Sequence, residues 1–209
     1  MKILTDQQFM ANTFVKDIDN EIGADRRIHR LMDFVVNKIS QSNNKFADNF
    51  IYLTENYLDY FDEQRIAILL NGCCLPWTMS MINKKFNTPK QASIILSQYI
   101  EEARDKTSPY ICSSLLNKYK ADPTVESFGL FNKLCKFGDA NSIKYCVNNY
   151  DIDINCRDSM PLLLASKFNS KDAISAIILL GGTPGNKANV ITKILAKRGI
   201  PYNFNTESR

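Results

Sequence analysis

The chain has 209 residues, of which 44% are hydrophobic and 23% charged, and its formal net charge is +4. These proportions are typical of a folded globular protein, so they exclude a mainly disordered, collagen-like or low-complexity chain. The 26 basic residues are spread along the sequence, whereas a dedicated nucleic-acid-binding protein concentrates them on one face or segment. We therefore predict no nucleic-acid partner. No apolar run is long enough to predict a membrane span.

The first 120 residues are predicted to be helical. Apolar residues at helical spacing form stripes over 5–22 and 25–40, and a stripe rich in aromatic residues runs over 45–61. Thr88 and Ser108 stand where helix N-caps are expected, since each precedes a proline that suits the first helical turn. No segment alternates polar and apolar residues as a strand does. The predicted fold class is therefore all-α.

Asp122-Pro123 is a predicted turn, and we take it as the boundary between two regions. The predicted organisation is an N-terminal α-helical region over 1–121, a second region over 122–204, and a tail over 205–209.

Two segments of the second region are similar to each other at a constant offset of 31 residues. Self-similarity of this kind is typical of helical repeat proteins, in which each unit buries its apolar face against its neighbours. The aligned pairs are Leu134 with Ala165, Lys136-Phe137 with Lys167-Phe168, Ile143 with Ile174, and Cys146-Val147 with Ile177-Ile178.

The two segments resemble the ankyrin repeat. Met160-Pro161-Leu162 stands at the T-P-L turn of that family, and Asp153-Ile154-Asn155 at its D-x-N turn. Gly138 stands at the glycine between the two helices, and Ala165 at the small residue on which the helices pack. The resemblance covers about two degenerate repeats plus a partial one, approximately residues 127–202.

The chain departs from the family pattern at the histidine that follows T-P-L, which is replaced by Leu163 in one repeat and by Asn132 in the other. Asn169 replaces the second interhelix glycine. Residues 191–201 look like a further second helix with Gly199 at its end, and the short spacing from Gly181 to Gly199 predicts that this last unit is either truncated or a cap.

The resemblance implies a short stack of helical pairs. Because about three or more repeats are usually needed to bury a core, two and a half are too few. We therefore expect the N-terminal helices to cap the stack, with the segment 111–120 packed on the first repeat.

The resemblance also implies a non-catalytic protein-protein interaction module, since ankyrin-like proteins bind partners through their turn tips and first helices. The implied positions mix basic, polar and apolar side chains, which suits a protein surface of some acidic character. These partner-binding positions are Asn132, Lys133, Lys136, Arg157, Asp158, Ser159, Met160, Leu163 and Lys167.

The six cysteines form no C-x-x-C pair, and the single histidine excludes a zinc site with two histidines. No metal and no cofactor are predicted. Most of the cysteines stand in apolar runs, where a free thiol behaves as a small hydrophobe. Free thiols are typical of a reducing compartment, so the predicted location is the cytosol.

The sequence is rich in Asn, Ile and Lys, a bias typical of AT-rich genomes such as those of intracellular bacteria and some viruses. This bias favours a pathogen effector or viral factor that binds a host protein, and delivery into a host cell stays open.

An alternative function is a small effector enzyme or enzyme inhibitor that uses the N-terminal helices, with the repeats for targeting. A cysteine enzyme would need Cys73 or Cys74 to meet His29, but a structural thiol and a boundary histidine are the simpler interpretations. The sequence contains no Walker loop, no G-x-G-x-x-G and no H-E-x-x-H. No catalytic residue is therefore predicted.

Overall fold

The computed structural model describes residues 33, 36, 58–72, 75–168 and 170–200. Every regular element in these ranges is helical and none is a strand, which confirms the predicted all-α class. The helices predicted before residue 58 lie outside the described residues, apart from Asp33 and Val36, which are both helical.

Nine α-helices occur in the described ranges. They are α1 (Glu63–Leu70), α2 (Leu75–Lys85), α3 (Pro89–Ala103), α4 (Pro109–Ser113), α5 (Val125–Phe137), α6 (Ala140–Asn149), α7 (Cys156–Phe168), α8 (Lys171–Leu179) and α9 (Ala188–Lys197). Short 3₁₀ turns lie at Leu58–Tyr60, Arg104–Lys106 and Gly185–Lys187, and a π turn, Ser114–Lys118, continues α4.

The chain divides into two compact units, Met1–Asn87 and Thr88–Arg209. The boundary predicted between residues 121 and 122 falls inside the second unit. The tail predicted over 205–209 lies outside the described residues.

In the first unit, α1 packs against α2. Asp62 caps α1, because its Oδ1 accepts a hydrogen bond from the backbone amide of Arg65 at 2.9 Å. The buried guanidinium of Arg65 also pairs with Asp33 at 2.8 Å. Lys85, at the end of α2, donates to the carbonyl oxygen of Leu58 at 2.9 Å and so holds this end against the first 3₁₀ turn.

The second unit is a stack of helical pairs. The pairs are α3 with α4 and the π turn that continues it, α5 with α6, and α7 with α8, and in the first pair α3 packs against the π turn. The first helices pack side by side in one row, with α3 on α5 and α5 on α7, and the second helices form the other row, with α4 on α6 and α6 on α8. Because α4 packs on α6, the prediction that the segment 111–120 contacts the first repeat is confirmed.

The second helices repeat with a period of 31 residues, and α4 shares this period. The second helices α4, α6 and α8 have Ser108, Asp139 and Ser170 as their N-cap residues, each 31 positions after the previous one. Fully buried side chains recur at the same spacing. They are Cys112, Ile143 and Ile174, followed by Leu115, Cys146 and Ile177. The stack therefore contains three pairs and a single helix, which reaches the number of units that a repeat core needs.

The last helix, α9, lies in the first-helix row, where it packs on α7. The prediction that this segment is a second helix is therefore wrong. Ile191 and Leu195 of α9 are buried, and they lie on the face that covers α7. The chain between Gly181 and Gly199 is too short for a full pair, so one helix closes the exposed side of the first-helix row.

Candidate functional site

Two phenylalanines at equivalent positions lie side by side where the first helices end. Phe137 ends α5 and Phe168 ends α7, and their ring centroids are 6.2 Å apart with a tilt of 53°. The ammonium of Lys136 lies 4.6 Å from one centroid and 4.7 Å from the other. Both distances are within the range of cation–π attraction. One lysine thus joins two neighbouring repeats.

This aromatic pair forms one wall of a groove in the second unit, which we call the helix-end groove. Its volume is about 940 Å³, near the upper end of the range for ligand pockets. It is lined by Glu101, Glu102, Ala103, Arg104, Lys106, Lys133, Lys136, Phe137 and Phe168. A second cavity, of about 360 Å³, shares both phenylalanines and reaches Arg198 beyond α9.

The helix-end groove is basic, since four basic and two acidic side chains line it. Lys133 pairs with Glu101 at 2.9 Å and donates to Ser97 Oγ at 2.5 Å, so its charge is neutralised. Arg104 and Lys106 are exposed and form no ion pair with any described residue. Apart from the Glu101–Lys133 pair, three cations, Arg104, Lys106 and Lys136, stand against the single carboxylate of Glu102, so the groove keeps a net positive charge.

The predicted first-helix residues lie partly in this groove. Lys133 and Lys136 line it, whereas Lys167 is exposed beside Phe168 in the sequence and Leu163 is half-buried. Asn132 is also half-buried, and its Oδ1 is buried without a hydrogen-bond partner among the described residues. An unsatisfied buried amide oxygen costs about 1–3 kcal/mol.

The predicted turn residues lie at the opposite end of α7. Arg157, Asp158 and Ser159 have left-handed backbone, with φ of 51°, 54° and 62°. In the preceding repeat, Ser127 and Phe128 have φ of 54° and 68°. These equivalent positions give the two first helices the same start, at a conformational cost of roughly 1–2 kcal/mol per residue.

The side chains of this turn bind neighbouring turns of the stack. Arg157 Nη2 donates to the carbonyl oxygen of Ser127 at 3.0 Å, and Asp158 pairs with Lys187 at 3.6 Å. Gly185 suits this contact, because its φ is +49° and a Cβ there would come within 2.9 Å of the Asp158 carboxylate and the Ser159 hydroxyl.

Two of the predicted turn residues offer less surface than the sequence suggested. Ser159 is only 2% exposed, so its side chain has no surface for a partner. Met160 is half-buried. The predicted positions thus form two groups, one in the helix-end groove and one in the turns at the other end of the first helices, and the structure does not bring them together.

Sequence reasoning missed seven of the nine residues that line the groove, namely Glu101, Glu102, Ala103, Arg104, Lys106, Phe137 and Phe168. The repeated Lys-Phe pair was the signal for the phenylalanines, because two rings 31 residues apart must meet when first helices pack side by side. Arg104 was missed because α3 was assigned to the N-terminal region rather than to the stack.

The described cysteines are poor nucleophiles. Burial raises the pKa of the Cys112 and Cys135 thiols, and it raises that of Cys146 to about 12. Burial also raises the pKa of the half-buried Cys156, with Asp153 adding to the effect. Since the thiolate is the reactive form, we expect all four thiols to react slowly at neutral pH.

The cysteine and histidine residues considered for catalysis, Cys73, Cys74 and His29, lie outside the described residues. In the part of the chain that the structure describes, no three His, Cys, Asp or Glu side chains are grouped closely enough to hold a metal ion. None of the described helices combines the length and the apolar character needed to cross a bilayer.

No protein-family model, curated protein or solved structure matches the chain significantly. The class of the second unit therefore follows from its own geometry, which is a stack of helical repeats with a 31-residue period.

Proposed function

We propose that the chain is a non-catalytic protein-protein interaction module of the ankyrin-like class, and that its partner binds along the first-helix row of the second unit. The observation that carries the proposal is the helix-end groove, which is lined by the ends of three consecutive first helices, α3, α5 and α7. Stacked repeats use extended surfaces of this kind for binding.

The first-helix row is held together by packing and by bonds between successive repeats. Ile100, Leu134 and Leu162 are fully buried along it. Lys133 bonds α5 to α3, and Arg198 Nη1 donates to the carbonyl oxygen of Ser166 at 2.7 Å. A surface held in this way loses little conformational entropy on binding, which favours affinity.

The partner class that we propose is a cytosolic protein. The four described cysteines Cys112, Cys135, Cys146 and Cys156 are free, which supports a reducing location. A host protein as partner, with the chain acting as a pathogen effector or viral factor, is the narrower proposal, and it rests on the bias of the sequence toward Asn, Ile and Lys.

The proposal is tested by capture of partners from eukaryotic cytosol on the immobilised full chain. One variant replaces Lys136, Arg157 and Lys167 with Glu. A control variant makes the same change of charge at Lys84, Lys144 and Lys171, which are exposed, lie outside the first-helix row and form no described hydrogen bond or ion pair.

We expect a saturable partner that the control variant retains and the first variant loses, because only the first reverses charge along the first-helix row. Thermal unfolding followed by circular dichroism checks that both variants fold. Equal recovery of every captured protein by both variants, or no saturable partner at all, contradicts the proposal.

A further inference from the structure

The helix-end groove points to a specific kind of ligand. We propose that it binds a short acidic segment of a partner protein, with an apolar side chain of that segment on Phe137 and Phe168 and its carboxylates facing Arg104 and Lys106. This inference rests on the proposed function and names the chemistry that the binding surface recognises.

The first argument is the composition of the groove. Six of its nine lining residues are charged, and the apolar ones are Ala103 and the two phenylalanines. Pockets for small molecules are predominantly apolar, so this lining suits a ligand with several charges and one apolar group. A peptide segment has that composition, and a groove of about 940 Å³ has room for several residues of it.

The second argument is the exposed aromatic surface. Phe168 is 50% exposed although it faces a concave site, and its ring lies against Phe137. Aromatic side chains at the centre of a binding site supply much of the apolar burial, and their pairwise geometry favours a further ring or a branched aliphatic side chain. An apolar anchor on the segment would cover this surface.

The third argument is the distribution of charge. Of the two carboxylates in the groove, Glu101 is already paired with Lys133 and Glu102 is exposed, so three further cations stand against one carboxylate. Arg104 and Lys106 have no described acidic partner, and Lys136 is held by the two rings rather than by a carboxylate. A guanidinium binds a carboxylate in a bidentate geometry, and an acidic segment would supply the anions that these three cations lack.

The charge distribution also predicts the orientation of the acidic segment in the groove. Arg198, at the far side of Phe168, is already engaged with the carbonyl oxygens of Ala165 and Ser166. The free cations therefore lie at the α3 end of the groove. We expect the acidic residues of the segment to lie at this end and its apolar anchor at the α7 end.

The test selects peptides from a random peptide library displayed on phage, with the full chain as bait. We expect enriched peptides to carry two or more Asp or Glu residues next to a Phe, Leu, Met or Trp. Enrichment of basic or uncharged peptides, or no enrichment, overturns the inference.

Variants then locate the binding of a synthesised, fluorescein-labelled copy of the enriched peptide by anisotropy. We expect Phe168→Ala, and separately Arg104→Glu combined with Lys106→Glu, each to weaken binding at least about tenfold. The matched controls are Tyr110→Ala, which removes a ring that is 63% exposed elsewhere, and Lys144→Glu combined with Lys171→Glu, which reverses two exposed charges in the second-helix row. Equal affinity of groove and control variants overturns the inference.

The two proposals fail in distinguishable ways. In one case, a captured cytosolic partner is lost with the variant at Lys136, Arg157 and Lys167 but kept with the Phe168 and Arg104/Lys106 variants. That result would support the interaction module and show that the helix-end groove is not its binding site. If no saturable partner is captured, the proposed function as an interaction module is contradicted, whichever peptides the phage library enriches.

Discussion

Asn132 and Leu163 occupy the same position of successive first helices but differ in whether their side chains need a hydrogen-bond partner. Leu163 is apolar and needs no hydrogen bond, whereas the buried Oδ1 of Asn132 has no described partner. The ammonium of the next residue, Lys133, pairs with the Glu101 carboxylate and donates a hydrogen bond to the Ser97 hydroxyl. Of two adjacent polar side chains on α5, one therefore lacks a described hydrogen-bond partner and the other has two. Their positions in the sequence do not predict this difference.

At the same scale, we expect the four described thiols to react slowly with iodoacetamide at neutral pH. Burial raises their pKa values, so the fraction of reactive thiolate is very small. Cys156 should react first among them, because it is the only one that is not fully buried. Peptide mass spectrometry after timed alkylation measures each site separately, with unfolded protein in urea as the control for full reactivity.

The alternative function as a cysteine enzyme is tested in the same experiment. A catalytic cysteine would have a lowered pKa in the folded protein. In native protein it would therefore be modified much faster than the free amino acid cysteine, and in urea it would be modified at the same rate as the free amino acid. Such a residue would favour the enzyme alternative. Uniformly slow modification of all six cysteines contradicts it.

At the scale of the element, the helix caps of the second-helix row determine where each pair turns. Asp139 caps α6 through its Oδ1, which accepts from the amides of Asn141 at 2.9 Å and Ser142 at 3.0 Å. Ser170 caps α8 by accepting from the amide of Ala173 at 3.2 Å. Ser108 occupies the equivalent position of α4, but its side chain makes no capping bond.

We therefore expect Asp139→Ala to lower the free energy of unfolding by about 1–2 kcal/mol, since it removes a side-chain cap. Ser108→Ala is the matched control at the equivalent position, and it should change stability by a few tenths of a kcal/mol at most, because no capping bond is lost. Urea unfolding followed by circular dichroism measures both. Equal losses in the two variants would mean that the cap of α6 contributes nothing specific.

At the scale of the whole molecule, the second unit has its own core from Thr88 onward. The pair α3/α4 covers α5 and α6, and its side chains Ile100, Cys112 and Leu115 are fully buried. Burying an aliphatic side chain of this size contributes about 1.5–3 kcal/mol. The net stability of a typical domain is only about 5–15 kcal/mol, because burial is opposed by a conformational entropy of similar size, so losing a few such side chains is enough to unfold it.

We accordingly expect a fragment of residues 88–209 to unfold cooperatively on heating, and a fragment of residues 122–209 to lose that cooperative transition. The second fragment begins at the boundary predicted from the sequence and lacks the pair that covers α5 and α6. Circular dichroism and calorimetry measure both fragments, with the full chain as reference. A cooperative transition of the shorter fragment would favour a boundary between residues 121 and 122 over the boundary between residues 87 and 88.

The all-α class, the caps and the repeat over α5 to α8 were predictable from the sequence because they depend on local patterns. Helical periodicity, an N-cap residue such as Thr88, whose side chain caps α3, and a repeated Lys-Phe pair are each visible within a few turns of chain. The same 31-residue spacing was present at Cys112, but α4 lacks the family's turn signature, so the pair α3/α4 was not assigned to the stack.

The sequence by itself determined the helices and the unit that repeats, because hydrogen bonds and apolar stripes within one helix involve residues three or four positions apart. Only the tertiary structure decided that α9 lies in the first-helix row, that Arg157 and Asp158 bind neighbouring turns, and that Lys136 lies between two rings. Those contacts join residues about 30 positions apart in sequence. Packing of whole helices determines them, and no local pattern encodes which row a helix joins.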